Sequence, residues 1–331
     1  MSLLNKLRHL FFYGFAHGLQ SSYYAIRYGI ARKVLKKTLF RRPVFEYRMY
    51  MDIRDPGISK ELAIFGKREL EHRHILTHSL KPGMTVWDLG ANIGYYAIME
   101  AQLVGPHGKV YAVEPSPSNV NLLKKNISFN HCEAIVEVSE VGISNRNGEA
   151  EFYLSEMSNV NTFHPTTRTG ERAAHLTGQT RTVTIMDVPT FIRGKRPVDL
   201  VRMDIEGHEV EVFESITHAI DEQNFSARIL FETHFPKYDN VHHNMREKLT
   251  ALFARGYFPK IIASTDERKA KFRERGYVAE HYIRTDGVVR GMYTDVSPED
   301  TLTFICDLGG VRTVLLERLN MKTKNIKTQE Y

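Results

Sequence analysis

Two acidic residues each follow a predicted buried strand, and a glycine-containing turn follows the first of them. Asp88 precedes the turn that contains Gly90 and Gly94, and Glu114 lies 24 residues beyond Gly90, at the end of the next strand. The glycines let backbone amides approach a ligand closely because they carry no Cβ atom. A carboxylate at the second strand end is placed to accept both hydroxyls of a ribose. The pattern predicts a nucleoside-containing cofactor across the carboxyl ends of two neighbouring parallel strands.

The spacing of the glycines indicates which cofactor this is. A dinucleotide site has the pattern G-x-G-x-x-G, whose middle glycine lets a pyrophosphate approach the backbone. Here Asn92 stands at that middle position, and the negative charge of Asp88 would repel a diphosphate. A carboxylate there suits a positively charged ligand end, such as the amino group of S-adenosylmethionine. The sequence therefore favours a methyltransferase, with an NAD-dependent oxidoreductase as an alternative.

Four further side chains could assist the transfer of a methyl group to a hydroxyl, which is a poor nucleophile until its proton is removed. They follow the predicted strands 198–203 and 228–231. The predicted catalytic residues are Asp204, Glu206, Glu232 and His234. In one mechanism, which we favour, His234 or Asp204 is a general base. In the other, Asp204, Glu232 and His234 hold a divalent ion such as Mg²⁺, which acidifies the bound hydroxyl.

The elements that position these residues alternate along the chain. The predicted strands are 86–88, 109–113, 135–138, 150–154, 198–203, 228–231, 258–263 and 302–306. The predicted helices include 60–79, 94–104, 207–217 and one around 245–253. This alternation predicts an α/β fold with a doubly wound, largely parallel sheet.

Several motifs resemble those of the FkbM family of S-adenosylmethionine-dependent methyltransferases. They are D-L-G-A-N-I-G-Y-Y at 88–96, V-E-P-S at 113–116 and M-D-I-E-G-H-E at 203–209, and the stretches 142–148 and 182–187 also fit. The resemblance covers about residues 50–235. It implies a class I, Rossmann-like fold with a seven-stranded sheet and helices on both faces. It also implies O-methylation of a hydroxyl on a sugar, a glycan or a secondary metabolite.

The resemblance implies the cofactor site as well. Carried onto this chain, that site comprises Asp88, Gly90, Asn92, Gly94, Tyr95, Glu114, Ser116, Val141, Gly142 and Asp204. The family commonly has a lysine two residues before Asp204, where this chain has Arg202. Arginine does not titrate near neutral pH, so Arg202 could form an ion pair or hold the substrate but could not transfer a proton. For Ser116, capping of the following helix is the favoured role.

Composition and charge bound the class of protein. The chain has 331 residues, 42% hydrophobic and 25% charged, which is typical of a globular protein. Its two cysteines, Cys132 and Cys306, give neither a disulfide framework nor a zinc-binding spacing, which predicts a cytoplasmic location. We predict three regions: an N-terminal extension at 1–48, a methyltransferase domain at 49–320 and a tail at 321–331. Within the domain, 155–181 and 266–299 are predicted to be loops that shape the acceptor site.

The predicted extension is a basic amphipathic helix. Residues 1–48 hold ten Lys or Arg and one acid, a charge of +9, so the net +6 of the chain leaves −3 for the remainder. Nucleic acid is therefore not the predicted partner, although an RNA methyltransferase and a non-catalytic cofactor-binding scaffold remain alternatives. Apolar side chains recur at helical spacing: Leu19, Tyr23, Ile26, Ile30 and Val34. We favour packing of this stripe on its own domain or in a homodimer; peripheral membrane contact through residues 1–40 is the other interpretation.

Overall fold

The computed structural model describes residues 12–171, 173–239 and 241–319 of the chain. The predicted tail at 321–331 and residues 1–11 of the extension lie outside these ranges. The strands are β1 (Leu39–Val44), β2 (Tyr47–Asp52), β3 (Thr85–Leu89), β4 (Lys109–Val113), β5 (Val136–Ser139), β6 (Gly142–Ser144), β7 (Gly148–Ser155), β8 (Leu176–Asp187), β9 (Leu200–Met203), β10 (Arg228–Glu232), β11 (Tyr257–Ser264), β12 (His281–Thr285), β13 (Val288–Tyr293) and β14 (Val311–Arg318). The helices are α1 (Phe15–Lys33), α2 (Ile58–Phe65), α3 (Leu70–Ser79), α4 (Tyr95–Val104), α5 (Pro117–Phe129), α6 (Val188–Phe191), α7 (Glu209–Gln223), α8 (Met245–Ala254) and α9 (Pro298–Leu302).

The largest sheet has the strand order β12-β13-β11-β14-β10-β9-β3-β4-β5. The five strands from β10 to β5 are parallel, and β14, β11, β13 and β12 pair antiparallel. The predicted doubly wound α/β sheet is confirmed, but it has nine strands instead of seven because the hairpin β12–β13 adds to the edge at β11. Strand order reverses between β3 and β9, and ligands of such sheets bind at the carboxyl ends of the strands beside that point.

The central strands are buried on both faces, as expected of a parallel sheet covered by helices. Every residue of β3 and of β9 is buried. Successive side chains of a strand point to opposite faces. Val86 packs with Ile98 of α4 and Leu123 of α5, whereas Trp87 packs with Phe191 of α6 on the other face. The sheet is thereby held rigidly between two apolar layers, with its carboxyl edge left for the ligand.

The predicted helix at 60–79 is two helices, α2 and α3. The chain turns at Gly66, whose φ is 73°, and the adjoining Glu69 also has a positive φ of 48°. A Cβ atom at position 66 would lie 2.6 Å from Nη2 of Arg42, so the site requires glycine. The break brings Arg68 and Glu69 to the edge of the sheet, where they contribute to the site described below.

The predicted strand at 302–306 is wrong, since these residues continue α9 as a π-helical turn over Thr303–Leu308. A short apolar run does not by itself distinguish a strand from a buried helix. The start signal lay just before it: Ser297 accepts a hydrogen bond from the amide of Asp300, and Pro298 occupies the first turn. The strand that pairs with β11 is β14 instead.

Both predicted loops contain regular structure. In 155–181, the residues from Leu176 onward belong to β8, which pairs with β7 and β6 in a separate three-stranded sheet. The segment 266–299 contains the hairpin β12–β13. None of its residues, all within the described ranges, lines the cavity described below. A role of 266–299 in acceptor binding stays a prediction.

Helix α1 packs on the domain with small residues and Tyr28. Gly18, Ser21, Tyr28 and Ala31 are buried, and the Tyr28 hydroxyl donates to the carbonyl of Ile53 over 2.9 Å. The predicted apolar stripe faces solvent instead, with exposed fractions of 52% for Leu19, 56% for Tyr23, 64% for Ile26, 46% for Ile30 and 71% for Val34. Its predicted packing on this domain is therefore wrong. No helix within the described ranges is both long and apolar enough to span a bilayer.

Candidate functional site

A cavity opens at the carboxyl ends of β3, β4 and β9, where the strand order reverses. Its walls are the turn after β3, the end of β4, the start of β6, the turn after β9 and the segment 158–163. Of the predicted cofactor residues, those on the wall are Gly90, Asn92, Tyr95, Glu114, Val141, Gly142 and Asp204.

The turn after β3 depends on Gly90. Its φ is 81°, and a Cβ atom there would lie 2.2 Å from the carbonyl oxygen of Asp204. This close contact places the cofactor turn directly against the end of β9. Gly94 was predicted to contact the cofactor, but it does not line the cavity. A Cβ atom at this position would lie 2.8 Å from Cδ1 of Leu123, so the glycine instead allows α4 to pack closely on α5.

Glu114 links the turn after β3 to the residue that precedes α5. Its Oε2 accepts a hydrogen bond from the amide of Asn92, and its Oε1 accepts one from the amide of Ser116, both over 2.9 Å. Oε1 also accepts from Nδ2 of Asn119 over 3.3 Å, whereas Oε2 has a second lone pair with which the group can still accept a ribose hydroxyl. Burial raises the pKa of Glu114 to about 7, even though the bonding amides oppose that shift. Ser116 occupies the N-cap position just before α5, but its side chain makes no capping hydrogen bond, and it is buried beneath the wall, not on it.

This raised pKa predicts that nucleoside binding weakens as the pH falls. The ribose hydroxyls donate, so the ionised carboxylate binds best; it predominates above pH 7 and is lost below it. We expect the Kd of 5′-methylthioadenosine, which has no group that titrates in this range, to rise by about tenfold from pH 8 to pH 6. Calorimetric titration measures it. Glu114→Gln should bind weakly at both pH values; the same pH slope in this variant would contradict the assignment.

Asp88 lies beneath the cavity, not on its wall. It pairs with Arg202 across β3 and β9, it is fully buried, and its Oδ1 accepts from Nη1 of Arg202 over 3.0 Å. The second amino group of Arg202 donates to Oδ2 of Asp204, also over 3.0 Å. The predicted contact of Asp88 with the cofactor is therefore not what the structure shows. Arg202 has the ion-pair role, and it holds Asp204 at the cavity.

The acidic end of the cavity includes a residue that no motif indicated. Glu69 lines the wall; its Oε2 accepts from the Tyr96 hydroxyl over 2.7 Å, and its Oε1 accepts from Arg312 over 2.9 Å. Although burial opposes ionisation, Arg68 and Arg312 hold the pKa of Glu69 well below its usual range. The segment 67–69 lies within the predicted helix 60–79, so nothing local predicted this anion.

The segment 158–163 covers the cavity, and the sequence did not predict the contacts that it makes there. Asp55 accepts hydrogen bonds from the amide and the hydroxyl of Ser158, both over 3.1 Å. The side chain of Asn92 donates to the carbonyl of Ser158. Further along, the ring of Phe163 lies against Gly142, where a Cβ atom would be 2.8 Å from Cζ. The part of the predicted acceptor loop at 158–163 therefore lies over the cofactor cavity.

The four predicted catalytic residues are close together but do not all reach the cavity. Asp204 and Glu206 line it, whereas Glu232 and His234 lie behind them. Nε2 of His234 is 3.7 Å from Oδ1 of Asp204, 3.7 Å from Oε2 of Glu206 and 3.6 Å from Oε1 of Glu232. Two of these carboxylates, those of Asp204 and Glu206, therefore face the cavity, and burial raises the pKa of Glu206 to about 7.

His234 does not fit the role of general base. Its Nδ1 donates to Oε1 of Glu209 over 3.0 Å. Burial lowers the pKa of His234, but the neighbouring carboxylates of Glu209 and Glu206 raise it more strongly, to about 10. The ring is then an imidazolium at neutral pH and has no lone pair with which to accept a proton. Of the two predicted general bases, His234 and Asp204, Asp204 therefore remains as the candidate.

The predicted Mg²⁺ site at Asp204, Glu232 and His234 does not fit a metal either. Glu232 is ion-paired with Arg312, which lies within hydrogen-bond distance of Oε1. His234 is held as a cation by its carboxylate neighbours. A ligand set that already contains two cations leaves little negative charge for a hard divalent ion. No step of the mechanism below depends on such an ion.

The chain matches a methyltransferase family model and is similar to several known methyltransferases. The model of the methyltransferase FkbM domain matches residues 88–277. Hexuronic acid methyltransferase AglP of Haloferax volcanii is 28% identical over 149 residues, which cover 45% of this chain and 55% of that protein. The match thus spans about half the length of this relative. A protein-L-isoaspartate O-methyltransferase of Methanothrix thermoacetophila is 44% identical over 48 residues, 14% of this chain and 23% of its own. The structure of an FkbM methyltransferase from Methylobacillus flagellatus aligns with a TM-score of 0.36 at 12% identity, covering 70% of this chain and 52% of that one.

Proposed function

Starting from the fact that this chain belongs to the FkbM methyltransferase family, we propose that it transfers the methyl group of S-adenosylmethionine to a hydroxyl of a sugar. One observation carries the proposal. A single cavity holds the Glu114 carboxylate on one wall and charged groups of both signs on another, which are the carboxylates of Glu69, Asp204 and Glu206 and the guanidinium groups of Arg68 and Arg202. A nucleoside whose far end is an amino acid, with an ammonium and a carboxylate group, matches this distribution of charge.

The chain's own residues would hold the donor in a defined direction. Glu114 accepts the ribose hydroxyls, and the apolar surfaces of Val141 and Phe163 enclose the adenine. The acidic residues attract the ammonium and sulfonium groups. Bound in this way, S-adenosylmethionine supplies an electrophilic methyl group next to Asp204. Positioning of the donor and the acceptor provides a large part of the rate in such a displacement.

Asp204 is the group that we propose to take the acceptor proton. Its Oδ2 is occupied by Arg202, whereas Oδ1 makes no contact closer than the 3.7 Å to His234 that is described above. The hydroxyl proton passes to Oδ1 as the acceptor oxygen attacks the methyl carbon and the carbon–sulfur bond breaks. The bonding electron pair remains on sulfur. His234, as an imidazolium paired with Glu209, stabilises the charge of this carboxylate cluster.

The proposed acceptor is a glycan that contains a hexuronic acid. The similarity to hexuronic acid methyltransferase AglP supports this class. A hexuronic acid offers two kinds of oxygen, hydroxyls that need a base and a carboxylate that does not. Asp204 on the cavity wall can accept the proton that a hydroxyl must lose, which favours transfer to a hydroxyl.

Isotope-labelled S-adenosylmethionine tests the proposal directly. The enzyme is incubated with oligosaccharides that contain a hexuronic acid, with neutral oligosaccharides and with RNA, and the products are analysed by mass spectrometry. We expect label in the hexuronic acid oligosaccharide, in a product that resists mild alkali because it is an ether. Label that alkali releases would be a methyl ester and would contradict the base mechanism. Label in RNA alone would contradict the proposed acceptor class.

A further inference from the structure

Three side chains with metal-binding atoms converge at the outer side of the cavity, apart from the carboxylate cluster around His234. Nε2 of His164 lies 3.1 Å from Nδ1 of His208, and Oε2 of Glu211 lies 3.5 Å from the first and 3.3 Å from the second. All three atoms are thus within 3.5 Å of one another. His164 comes from the segment that follows 158–163, and the other two residues lie at the start of α7.

These distances fit one particular coordination geometry. Zinc binds imidazole nitrogen and carboxylate oxygen at about 2.0–2.2 Å in a tetrahedral arrangement. Two ligands of a tetrahedron with this radius are about 3.3–3.6 Å apart. Two of the three separations, 3.3 and 3.5 Å, lie in this range, and the third, 3.1 Å, is slightly shorter. Two histidines and a glutamate leave the fourth position open.

Surrounding residues orient two of the three candidate ligands, His208 and Glu211. Nε2 of His208 lies 3.1 Å from the Ser144 hydroxyl, so Nδ1 is turned toward the cluster. Nε2 of His243 lies 3.3 Å from Oε2 of Glu211, and its Nδ1 lies 2.8 Å from the carbonyl of Lys237. Metal-binding histidines typically have such a second partner on the ring nitrogen that faces away from the metal. Burial of His208 and His243 keeps water from competing for these bonds.

We propose that His164, His208 and Glu211 bind one zinc ion, which fastens the segment 158–164 to the start of α7. Imidazole nitrogens favour zinc over magnesium, which prefers an all-oxygen site. Phe163, next to His164, forms the cavity wall against Gly142, so the ion would fix this wall in place. His243 is a positioning residue that orients Glu211.

Measurement of the zinc content tests the proposal without any assay of methyl transfer. The full chain is treated with a chelator, supplied with zinc sulfate, desalted and analysed by mass spectrometry of the metal. We expect one zinc per chain, reduced at least tenfold in His164→Ala and in Glu211→Gln. His243→Ala should weaken zinc binding by about 10–100-fold. Cobalt substitution gives an independent readout, since a tetrahedral site has an intense visible absorption that His164→Ala should lose.

His74→Ala is the matched control, because His74 belongs to another histidine cluster on the surface, with its Nε2 3.3 Å from that of His281. This variant should keep its zinc, and so should Asp204→Asn. Absence of zinc from the wild-type chain would overturn the proposal. Loss of zinc in either control with retention in His164→Ala would also overturn it, since the ion would then lie elsewhere. Circular dichroism of each variant excludes misfolding as the cause.

A second, independent observation concerns the exposed stripe of α1, defined above as Leu19, Tyr23, Ile26, Ile30 and Val34. Its flanking basic residues are also exposed: Arg27, Arg32, Lys33, Lys36 and Lys37. The sequence contains no Asp or Glu before Glu46. The opposite face of the helix is already packed on the domain. We propose that this stripe binds an anionic lipid surface, because a second copy of the chain would bring two basic faces together.

Sedimentation with vesicles tests this proposal. Vesicles that contain phosphatidylserine should bind the full chain, and vesicles of phosphatidylcholine alone should bind it at least tenfold more weakly. Each basic residue removed, as in Lys33→Ala, should reduce partition by up to about fivefold. Ile26→Glu with Ile30→Glu should abolish binding, whereas Val278→Glu, at an apolar position that is 81% exposed elsewhere, should not. Unchanged sedimentation of the double variant would overturn the proposal, as would a dimer that this variant dissociates.

Discussion

Replacement of Gly90 by alanine is expected to abolish measurable cofactor binding and to destabilise the fold. The new Cβ atom would lie 2.2 Å from a backbone oxygen, that of Asp204, so no side-chain rotation can relieve the clash. Either the turn after β3 or the end of β9 must move, and both form the cavity wall. We expect a loss of about 2–4 kcal/mol in the free energy of unfolding. Affinity for S-adenosylhomocysteine should fall about 100-fold or more.

Gly83→Ala is the matched control for this prediction. Gly83 also has a positive φ, 89°, but nothing lies within 4 Å of the position of its Cβ atom. The variant therefore incurs only the conformational cost of about 1–2 kcal/mol. Chemical denaturation and calorimetric titration of both variants separate the effects. If Gly90→Ala bound the cofactor product as tightly as Gly83→Ala does, the close contact of the turn with β9 would be irrelevant to the site.

Replacement of Asp204 by asparagine should lower kcat by about 10²–10⁴-fold while the fold stays intact. Asparagine keeps the shape of the side chain and can still contact Arg202, but it cannot accept the proton of an acceptor hydroxyl. The variant should be assayed with the hexuronic acid oligosaccharide, and the Kd of S-adenosylhomocysteine should be measured separately. A role as general base changes kcat, whereas a role only in holding the ammonium group changes the Kd.

Glu206→Gln provides the comparison, since Glu206 lines the same wall two residues away. We expect a loss of kcat that is at least tenfold smaller than that of Asp204→Asn. A larger loss in Glu206→Gln would identify Glu206 as the base. An unchanged kcat in Asp204→Asn, with weaker cofactor binding alone, would show that Asp204 is a cofactor ligand and that the acceptor needs no base at this site.

The cofactor half of the site was predictable because its residues are close together in the chain. The turn at 88–94 and the acid at 114 follow successive strands, and parallel pairing of β3 with β4 necessarily brings the strand ends together. Asp88 was predicted to contact the cofactor, but its side chain lies beneath the wall. Its partner, Arg202, is on β9 and lines the cavity, and only the pairing of β3 with β9 shows that the two side chains form an ion pair.

The rest of the site could not be predicted in the same way. Glu69 reaches the cavity because the chain breaks at Gly66, and Arg312, which holds it, comes from β14 at the far end of the sequence. The histidine–glutamate cluster likewise combines the segment after β7 with α7. These contacts depend on tertiary packing of distant segments, and no local spacing of residues encodes them.

Helix α1 shows a further limit of reading periodicity. The apolar stripe was correctly located as one face of a helix, but periodicity does not reveal which face packs. Here the small residues Gly18, Ser21 and Ala31 let the helix approach the domain closely, and the larger apolar side chains remain outside. The exposure of that stripe, not its existence, motivates the proposed lipid contact.

A structure of the full chain with bound S-adenosylhomocysteine tests the central claim most directly. We expect the ribose hydroxyls within about 2.5–3.2 Å of the Glu114 carboxylate oxygens. The sulfur atom should lie toward Asp204 and Glu206, with the adenine beside Val141. A ligand outside this cavity, or one whose ribose lies at the Asp204 end, would contradict the assignment of Glu114 to the donor ribose and of Asp204 to the reacting end.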